Sequence, residues 1–290
     1  MATTAFFTVM CATDDATFRL WGKGLSDAFA AVGLTKRTSG EDSGQIDWAT
    51  VTRPAVGVVA GYEMWRFSDV LQAIAPVLIK IEYSIDLQYS MYASYVSARV
   101  TVGFASNGAG ALTGYTSTPT NVQVTASGGT TIFVHKACGA SNRVSVVQGI
   151  QNTASFQVGF SVERTHTVSG DDTAEGVFVV TWQLSGPGCK YMLVAYAGGL
   201  LTTETTPSAL LPSVGSGSTG TLTSFYPFFM ARGPFLNPSL NMGLMFAENV
   251  TVGVRVNVTL LGATRVFYPC PFTFANRGAV AGTTLMIRDE

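Results

Sequence analysis

Apolar residues recur at intervals of three and four near the start of the chain, from Ala16 to Val32. One face of a helix is therefore predicted to carry Phe18, Trp21, Leu25, Ala28, Phe29 and Val32. Asp14 or Asp15 can cap the N-terminus of this helix, and Gly33 is a typical C-terminal stop. We expect the helix to lie on a sheet, because burial of its aromatic face outweighs the weakening by two internal glycines.

Beyond the helix the hydrophobic period becomes two, which predicts strands. The first strand, Gly61 to Phe67, is followed by a short helix from Ser68 to Ala75. Further strands are predicted at Pro76 to Tyr83, Tyr95 to Phe104, Thr131 to Lys136, Val144 to Val147, Ser155 to Arg164 and Glu175 to Leu184. The last two of these are expected to form a long hairpin with an acidic tip. Residues Ala5 to Cys11 are interpreted as an N-terminal strand or as a tail that packs on a partner.

A second region begins near Leu200. The segment from Leu201 to Gly220 is rich in Thr, Ser, Pro and Gly and is typical of a linker. Asn249 to Leu261 alternates as a half-buried strand, and shorter strands follow at Thr264 to Tyr268 and Thr283 to Arg288. The sequence thus predicts a main domain over residues 1–200, a linker-like segment over 201–220 and a C-terminal β region over 221–290, or one continuous unit. The predicted fold is mainly β: an antiparallel β-sandwich, jelly-roll-like, with the helix packed on a sheet.

The start of the C-terminal region is unusually apolar and is interrupted by prolines. It is interpreted either as an irregular wall or as an interface. The candidate assembly residues are Phe225, Tyr226, Phe228, Phe229, Phe235 and Phe246.

Composition changes this picture by pointing to a covered surface. Charged residues make up 12% of the chain and hydrophobic residues 47%, with a formal net charge of −1. That charged share is about half the usual one for a soluble protein, which suits a subunit whose faces are covered by neighbours, although stable secreted β-proteins share the trait. No basic block or bilayer-length apolar run is present, so neither a nucleic acid nor a membrane is expected as a partner. The N-terminus lacks the basic start of a secretory signal, and the four dispersed cysteines are expected to be reduced.

Candidate chemistry is sparse. The two histidines, His135 and His166, are near no serine in a nucleophile-elbow motif, so no catalytic residue and no cofactor is predicted. Two acidic clusters could offer oxygen ligands to a metal: Asp171, Asp172 and Glu175, and also Glu41, Asp42 and Asp47. Because the spacing of a calcium-binding loop is absent, solvated loops are the favoured interpretation and no metal site is predicted.

Several motifs, taken in order, carry a resemblance. Within Phe18 to Tyr83 they are F-R-x-W-G, A-F-A-A-V-G-L, D-S-G-Q-I-D-W-A-T-V-x-R-P, A-G-Y-E-M-W-R-F-x-D-x-L-Q and P-V-L-I-K-I-E-Y. Later motifs are V-T-V-G and G-A-G-x-L-T-G in Val100 to Gly114, F-S-V-E-R-T and D-T-A-E-G-V in Phe160 to Val177, and a terminal L-M-I-R-D-E. Together they resemble a family of structural proteins encoded in tailed bacteriophage genomes. The chain departs from that family at Ser84 to Tyr95, where a short glycine-containing turn is usual.

The resemblance implies a virion component that is not an enzyme and that is assembled in the bacterial cytoplasm. Its implied partners are copies of itself and other virion proteins in the tail, the neck or the head surface. The alternative hypothesis is a host-binding module that binds a cell-surface glycan through exposed aromatic residues. The candidates are Trp48, Trp65, Tyr89, Tyr92 and Tyr95, although most of them are rather expected to be core or subunit contacts. A weaker third hypothesis is a glycan-degrading enzyme using Glu63 and Glu82, although Glu63 is rather expected to pair with Arg66 or Lys80.

Overall fold

The computed structural model describes residues 3–10, 12–87, 90–91, 93, 95–116, 120–124, 132–150, 157–167, 169–183, 189–195, 200–201, 224–232, 235–246, 256–260, 262–273 and 283–288. Within these ranges the chain is mainly β, with one α-helix, one short 3₁₀ helix and three antiparallel sheets. The predicted fold class is therefore confirmed, and the architecture is compatible with a β-sandwich that carries an N-terminal helix.

The first sheet follows the helix in the chain. Its strands are β2 (Thr35–Lys36), β3 (Val59–Arg66), β4 (Leu78–Ile85), β5 (Val96–Ser106) and β6 (Leu112–Thr116), hydrogen-bonded in that order, while β7 (Thr120–Val124) also pairs with β5. The alternation predicted for Gly61 to Phe67 is confirmed by the register with β4, since Tyr62 lies opposite Glu82 and Glu63 lies opposite Ile81. Neighbouring strand residues point to opposite faces of a sheet, so Glu63 and Glu82 lie on different faces.

The second sheet combines the N-terminal strand with the middle of the chain. Its order is β1 (Thr3–Met10), β8 (Ile132–Ala140), β9 (Arg143–Ile150), β10 (Gln157–His166), β11 (Asp172–Gln183), β12 (Cys189–Ala195) and β13 (Leu200–Leu201). The hairpin predicted from Ser155 to Leu184 is confirmed as β10 and β11. For the N-terminus, the strand interpretation is confirmed, because all of β1 pairs with β8.

The third sheet is formed by the C-terminal region. Its order is β14 (Ser224–Arg232), β15 (Phe235–Phe246), β18 (Thr283–Arg288), β17 (Ala263–Thr273) and β16 (Val256–Leu260). The apolar segment interpreted as an irregular wall or an interface thus contributes two strands. Most of the predicted linker, residues 202–220, and the first part of the predicted strand from Asn249 lie outside the described residues.

The helix α1 (Asp15–Ala31) begins and ends where its sequence predicts. The Asp14 carboxylate accepts from the Thr17 backbone N–H at 2.8 Å, and the Thr17 hydroxyl accepts from the Asp14 N–H at 3.1 Å, which forms a capping box. At the other end Gly33 has a φ of 99°, and the Leu34 N–H returns to the carbonyl of Phe29 at 3.1 Å. This is the left-handed glycine stop that the sequence predicts.

The helix packs where the first and second sheets meet. The Phe29 ring lies 5.4 Å from the Trp65 ring of β3 and 6.0 Å from the Phe160 ring of β10, measured between centroids. Trp21 stacks edge-on against Tyr83 of β4 at 5.7 Å. Apolar residues from α1 and from both sheets therefore share one buried core.

Candidate assembly surface

The turn between β3 and β4 displays two aliphatic side chains to solvent. Val70 is 91% exposed and Ile74 is 74% exposed. Val70 begins the 3₁₀ helix Val70–Ala73 and Ile74 follows it, and Ala73 is exposed as well. Burying one such side chain would gain about 1.5–3 kcal/mol, so two that are held apart from the core suggest a contact with another molecule.

A buried arginine holds this turn in place. The Arg164 side chain on β10 has no exposed surface, and its guanidinium forms a bidentate ion pair with Asp69, with Nη2 donating to Oδ1 at 2.9 Å. Its Nη1 donates to the carbonyl of Ala75 at 3.0 Å, and its Cζ lies 5.4 Å from the centroid of the Phe67 ring. A buried charge is tolerated only when its hydrogen bonds are satisfied, so Arg164 clamps the turn at residues 69 and 75.

Further hydrogen bonds tie the turn to its neighbours. The Ser68 N–H donates to the carbonyl of Ser141 at 2.8 Å, and the Ser68 hydroxyl donates to the carbonyl of Gly33 at 2.9 Å. Within the turn, the Gln72 side-chain oxygen accepts from the Val77 N–H at 2.9 Å. The turn is therefore fixed to the end of α1 and to the hairpin turn between β8 and β9.

The same contacts correct the prediction of a helix from Ser68 to Ala75. Asp69 occupies the N-cap position of the observed 3₁₀ helix but makes no capping hydrogen bond. Its carboxylate is occupied by Arg164 instead. Without a cap, and with Pro76 close behind, the segment forms one short 3₁₀ turn.

Several exposed, uncharged residues lie around the turn. We define the end surface as the exposed residues that these bonds bring together: Ala30, Ala31, Gly33, Ser68, Val70, Ala73, Ile74 and Ser141. The last turn of α1 has no basic side chain, and the Asp69 carboxylate is paired with Arg164. Two exposed carboxylates border the end surface: Asp27, one helical turn before Ala30 and Ala31, and Asp172, which accepts from Asn142 next to Ser141. The end surface is thus fixed by hydrogen bonds and displays two aliphatic side chains.

Glu63, a candidate for carboxylate chemistry, lies in the core and has no exposed surface. Its Oε1 accepts from Ser26 Oγ at 2.8 Å, Lys36 Nζ at 2.5 Å and Trp48 Nε1 at 3.0 Å, and its Oε2 accepts from Trp65 Nε1 at 3.2 Å and Tyr83 OH at 2.6 Å. The prediction that Glu63 pairs with Arg66 or Lys80 is therefore wrong, because both of those residues lie on the other face of the sheet from Glu63. The five donors come from α1, β2, β3, β4 and the loop before β3, so this carboxylate joins five segments.

Glu82 lies on the other face of the first sheet, where it forms ion pairs with two basic side chains. Its carboxylate accepts from Arg99 at 2.6 Å and pairs with Lys80 at 2.9 Å. Burial raises the pKa of Glu82, but the hydrogen bonds from Arg99 and Lys80 outweigh that effect and hold it below its usual value. Since Glu63 and Glu82 lie on opposite faces, they cannot flank one sugar in a shared cleft, and that proposed pairing is wrong.

The acidic clusters are also occupied by hydrogen bonds. Asp171 accepts from Ser169 at 2.7 Å, and Asp172 accepts from Asn142. Asp42 is buried, pairs with Arg37 at 2.9 Å and accepts from both the Ser106 hydroxyl and the backbone of the β5–β6 turn. Among the residues that the structure describes, no group of three ligating side chains could hold a metal ion.

The aromatic candidates for glycan stacking differ in their exposure. Trp48 and Trp65 are buried in the core with their indole N–H groups on Glu63, as the favoured core interpretation expects, so neither can stack on a glycan. Tyr95 is half-buried, and Tyr89 and Tyr92 lie outside the described residues.

The predicted interface residues fall on one β-hairpin. Strand β14 carries Phe225, Tyr226, Phe228 and Phe229, while β15 carries Phe235 and Phe246. Strand β14 is an edge of the third sheet as described, and β15 lies close to β9 and β10 of the second sheet. The assembly role of these side chains stays a prediction.

Sequence reasoning missed Val70 and Ile74. The run V-L-Q-A-I-A-P has the spacing of a short amphipathic helix, whose apolar face would normally be buried. An Asp-Val pair preceded by a serine gives no local sign that an arginine 95 residues away captures the aspartate. That long-range ion pair fixes the turn on which the two exposed aliphatic side chains lie.

Neither a protein family nor a curated protein matches the chain. Among the helices of the described ranges, none has the length and apolar character needed to cross a membrane.

Proposed function

We propose that this protein is a non-enzymatic structural subunit of a tailed bacteriophage virion, placed in the tail, the neck or the head surface. The observation that carries the proposal is the end surface, on which a buried ion pair holds two exposed aliphatic residues, Val70 and Ile74, in fixed positions. A subunit that acts through protein–protein contacts needs such a surface.

Rigidity is what makes the end surface suited to assembly. Ordering a flexible loop on binding costs about 0.5–1.5 kcal/mol for each immobilised side chain. Here the cost is met during folding, because Arg164 and Ser68 fix the turn before any partner arrives. The low charged share of the whole chain, 12%, agrees with a subunit whose surface is largely buried against neighbouring subunits.

The buried polar groups of the described chain support the same proposal. The carboxylates that sequence offered for chemistry, Glu63 and Glu82, are engaged by side chains of the fold itself. They join segments rather than line an opening, which fits a subunit whose task is to hold a shape.

The experiment that tests the proposal asks whether the chain is part of a particle. Cells that carry the gene are induced to release phage particles, which are purified on a density gradient, probed with an antibody against the purified chain and imaged by electron microscopy. We expect the chain to copurify with the particles and the antibody to decorate one location in a defined symmetry. If the chain is absent from purified particles, the proposal is wrong.

A variant links that test to the end surface. Val70→Asp should leave the fold intact, because the side chain is almost fully exposed, and should lower the amount of chain in the particles. Leu20→Asp is the matched control, since Leu20 is an exposed apolar residue on the middle of α1, outside the end surface. Equal incorporation of the two variants would separate the end surface from assembly.

A further inference from the structure

We infer that Asn107 is a site of spontaneous deamidation, and that the native turn between β5 and β6 holds the reaction back. Asn107 and Gly108 form the one Asn-Gly pair of the sequence. In such a pair the backbone nitrogen of the glycine can attack the asparagine side chain, because glycine has no side chain to obstruct the approach. Asn107 is exposed on this turn, so water reaches it.

The reaction needs no enzyme and no co-reactant other than water. The Gly108 nitrogen gives up its proton and bonds to Cγ of Asn107, the Cγ–Nδ2 bond breaks, and the side-chain nitrogen leaves with a proton as ammonia. One water molecule then opens the resulting cyclic imide at either of its two carbonyls. Opening at one carbonyl leaves aspartate, and opening at the other leaves isoaspartate, whose backbone is longer by a methylene group.

The closed turn occupies the nitrogen that would attack. The Gly108 N–H donates to the Ser106 hydroxyl at 3.0 Å, and that hydroxyl donates to Oδ2 of Asp42 at 2.7 Å. Asp42 has no exposed surface, so the hydroxyl that receives the Gly108 proton is itself fixed from inside the fold. The Gly108 nitrogen therefore keeps its proton and its orientation while the turn is closed.

The side chain that would be attacked is held as well. Oδ1 of Asn107 accepts from the backbone N–H of Ala109 at 2.8 Å and from that of Ala111 at 3.1 Å. Closing the imide ring requires rotation of the Asn107 side chain and of the backbone that follows it, which these two bonds oppose. Deamidation thus requires the turn to open first.

Isoaspartate at position 107 would disturb contacts that the turn makes with the loop before β3. The Gly108 carbonyl accepts from the Ser43 N–H at 2.8 Å, and the Gly110 N–H donates to Oδ1 of Asp42 at 2.8 Å. A Cβ added at Gly110 would lie 2.5 Å from the Tyr62 ring, so the turn has no room to shift toward that ring. A longer backbone displaces these groups and weakens the hydrogen bonds of the buried Asp42 carboxylate, which loosens residues 41–44.

The rate of deamidation in the folded and the unfolded chain tests the inference. Both are incubated at mildly alkaline pH, the unfolded chain in guanidinium chloride, and the product at residue 107 is quantified by peptide mass spectrometry and by an isoaspartate-specific methyltransferase. We expect the unfolded chain to react and the folded chain to react roughly tenfold more slowly, or less, because the turn must first open. Asn107→Gln is the blank for both states. A folded chain that reacts as fast as the unfolded one would overturn the inference, and so would an unfolded chain that does not react.

A hydroxyl deletion identifies the group that holds the turn closed. Ser106→Ala removes the acceptor of the Gly108 N–H, so it should raise the rate in the folded chain several-fold and leave the rate in the unfolded chain unchanged. Ser68→Ala removes a hydroxyl from a different turn and is the matched control, with thermal unfolding measured for both variants. An unchanged rate in Ser106→Ala, or an equal rise in Ser68→Ala, would show that the Ser106 hydroxyl does not restrain the site.

The effect of the product is measured on the deamidated protein itself. The isoaspartate fraction should show faster amide hydrogen exchange at residues 41–44 than the unmodified chain. Asn107→Asp is the matched control, because it carries the new carboxylate without the extra methylene and keeps an acceptor for Ala109 and Ala111. Equal exchange in the isoaspartate fraction and in Asn107→Asp would contradict the predicted loosening of the loop.

Discussion

Glu63 and Arg164 are both fully buried charged residues, and they stabilise different parts of the molecule. Glu63 receives five donors from segments that surround the core. Arg164 donates its hydrogen bonds to a single turn, at the Asp69 carboxylate and the carbonyl of Ala75. In both cases hydrogen bonds offset the cost of burying the charge. At Glu63 these bonds hold the core together, whereas at Arg164 they fix a surface turn.

The largest expected effect is therefore at Glu63. Glu63→Ala removes the acceptor for five donors at once and leaves the Lys36 ammonium without its buried partner, so the free energy of unfolding should fall by about 3–5 kcal/mol. Urea denaturation followed by tryptophan fluorescence measures it. Glu63→Gln is the control, because it keeps the volume and one acceptor oxygen and should cost less. A loss below about 1 kcal/mol for Glu63→Ala would contradict the role of this carboxylate in joining segments.

Arg164 should behave differently. Arg164→Leu removes the clamp, but Asp69 lies on a surface turn that can move out and hydrate, so the expected loss of global stability is smaller, about 1–3 kcal/mol. Amide hydrogen exchange of residues 68–76 should accelerate far more than exchange in β3 or β4. Exchange that accelerates equally in the turn and in those strands would show that Arg164 supports the core as Glu63 does.

How much of this could be predicted depends on the distance over which each interaction acts. The helix α1, its Asp14 cap and its Gly33 stop follow from local signals, and the hairpin of β10 and β11 follows from alternation. The partners of Glu63 could not be predicted, because Ser26, Lys36 and Tyr83 reach it from segments distant in sequence. In a strand, alternation shows which face a residue occupies but not which face is covered.

The candidate surface was hidden for the same reason. Val70 and Ile74 lie on a turn that is fixed by the pairing of its Asp69 with Arg164 of the second sheet. Charge pairs at that separation leave no periodic trace in a single sequence. The low charged share of the chain predicted that a covered face exists, and the structure was needed to say where it could lie.

A smaller effect is expected at Gly22, close to the Glu63 side of the core. A Cβ added at Gly22 would lie 1.9 Å from the nearest ring atom of Trp48, whose indole N–H donates to Glu63. Gly22→Ala improves helix propensity by up to about 1 kcal/mol, but overpacking costs about 1–3 kcal/mol, so the substitution should destabilise the protein. Ala30→Gly, at an exposed position of the same helix, is the control for the propensity difference between glycine and alanine. Stabilisation by Gly22→Ala in thermal unfolding would mean that Trp48 is not held against the helix.

The smallest effect distinguishes the two buried charges by pH. Burial raises the pKa of Tyr83 well above its ordinary value of 10.0, and the neighbouring Glu63 carboxylate raises it further. A group whose pKa is higher in the folded state contributes stability that is fully present below its unfolded pKa and is lost as the pH rises toward the folded pKa. Stability should therefore be insensitive to Tyr83 at neutral pH and should fall as the pH rises beyond about 10.

Urea titrations at successive pH values measure this alkaline loss of stability, and Tyr83→Phe should reduce it relative to wild type. Arg164→Leu should leave the pH dependence unchanged, because an arginine stays charged throughout that range. Equal alkaline slopes for wild type and Tyr83→Phe would show that this hydroxyl is not held protonated against Glu63.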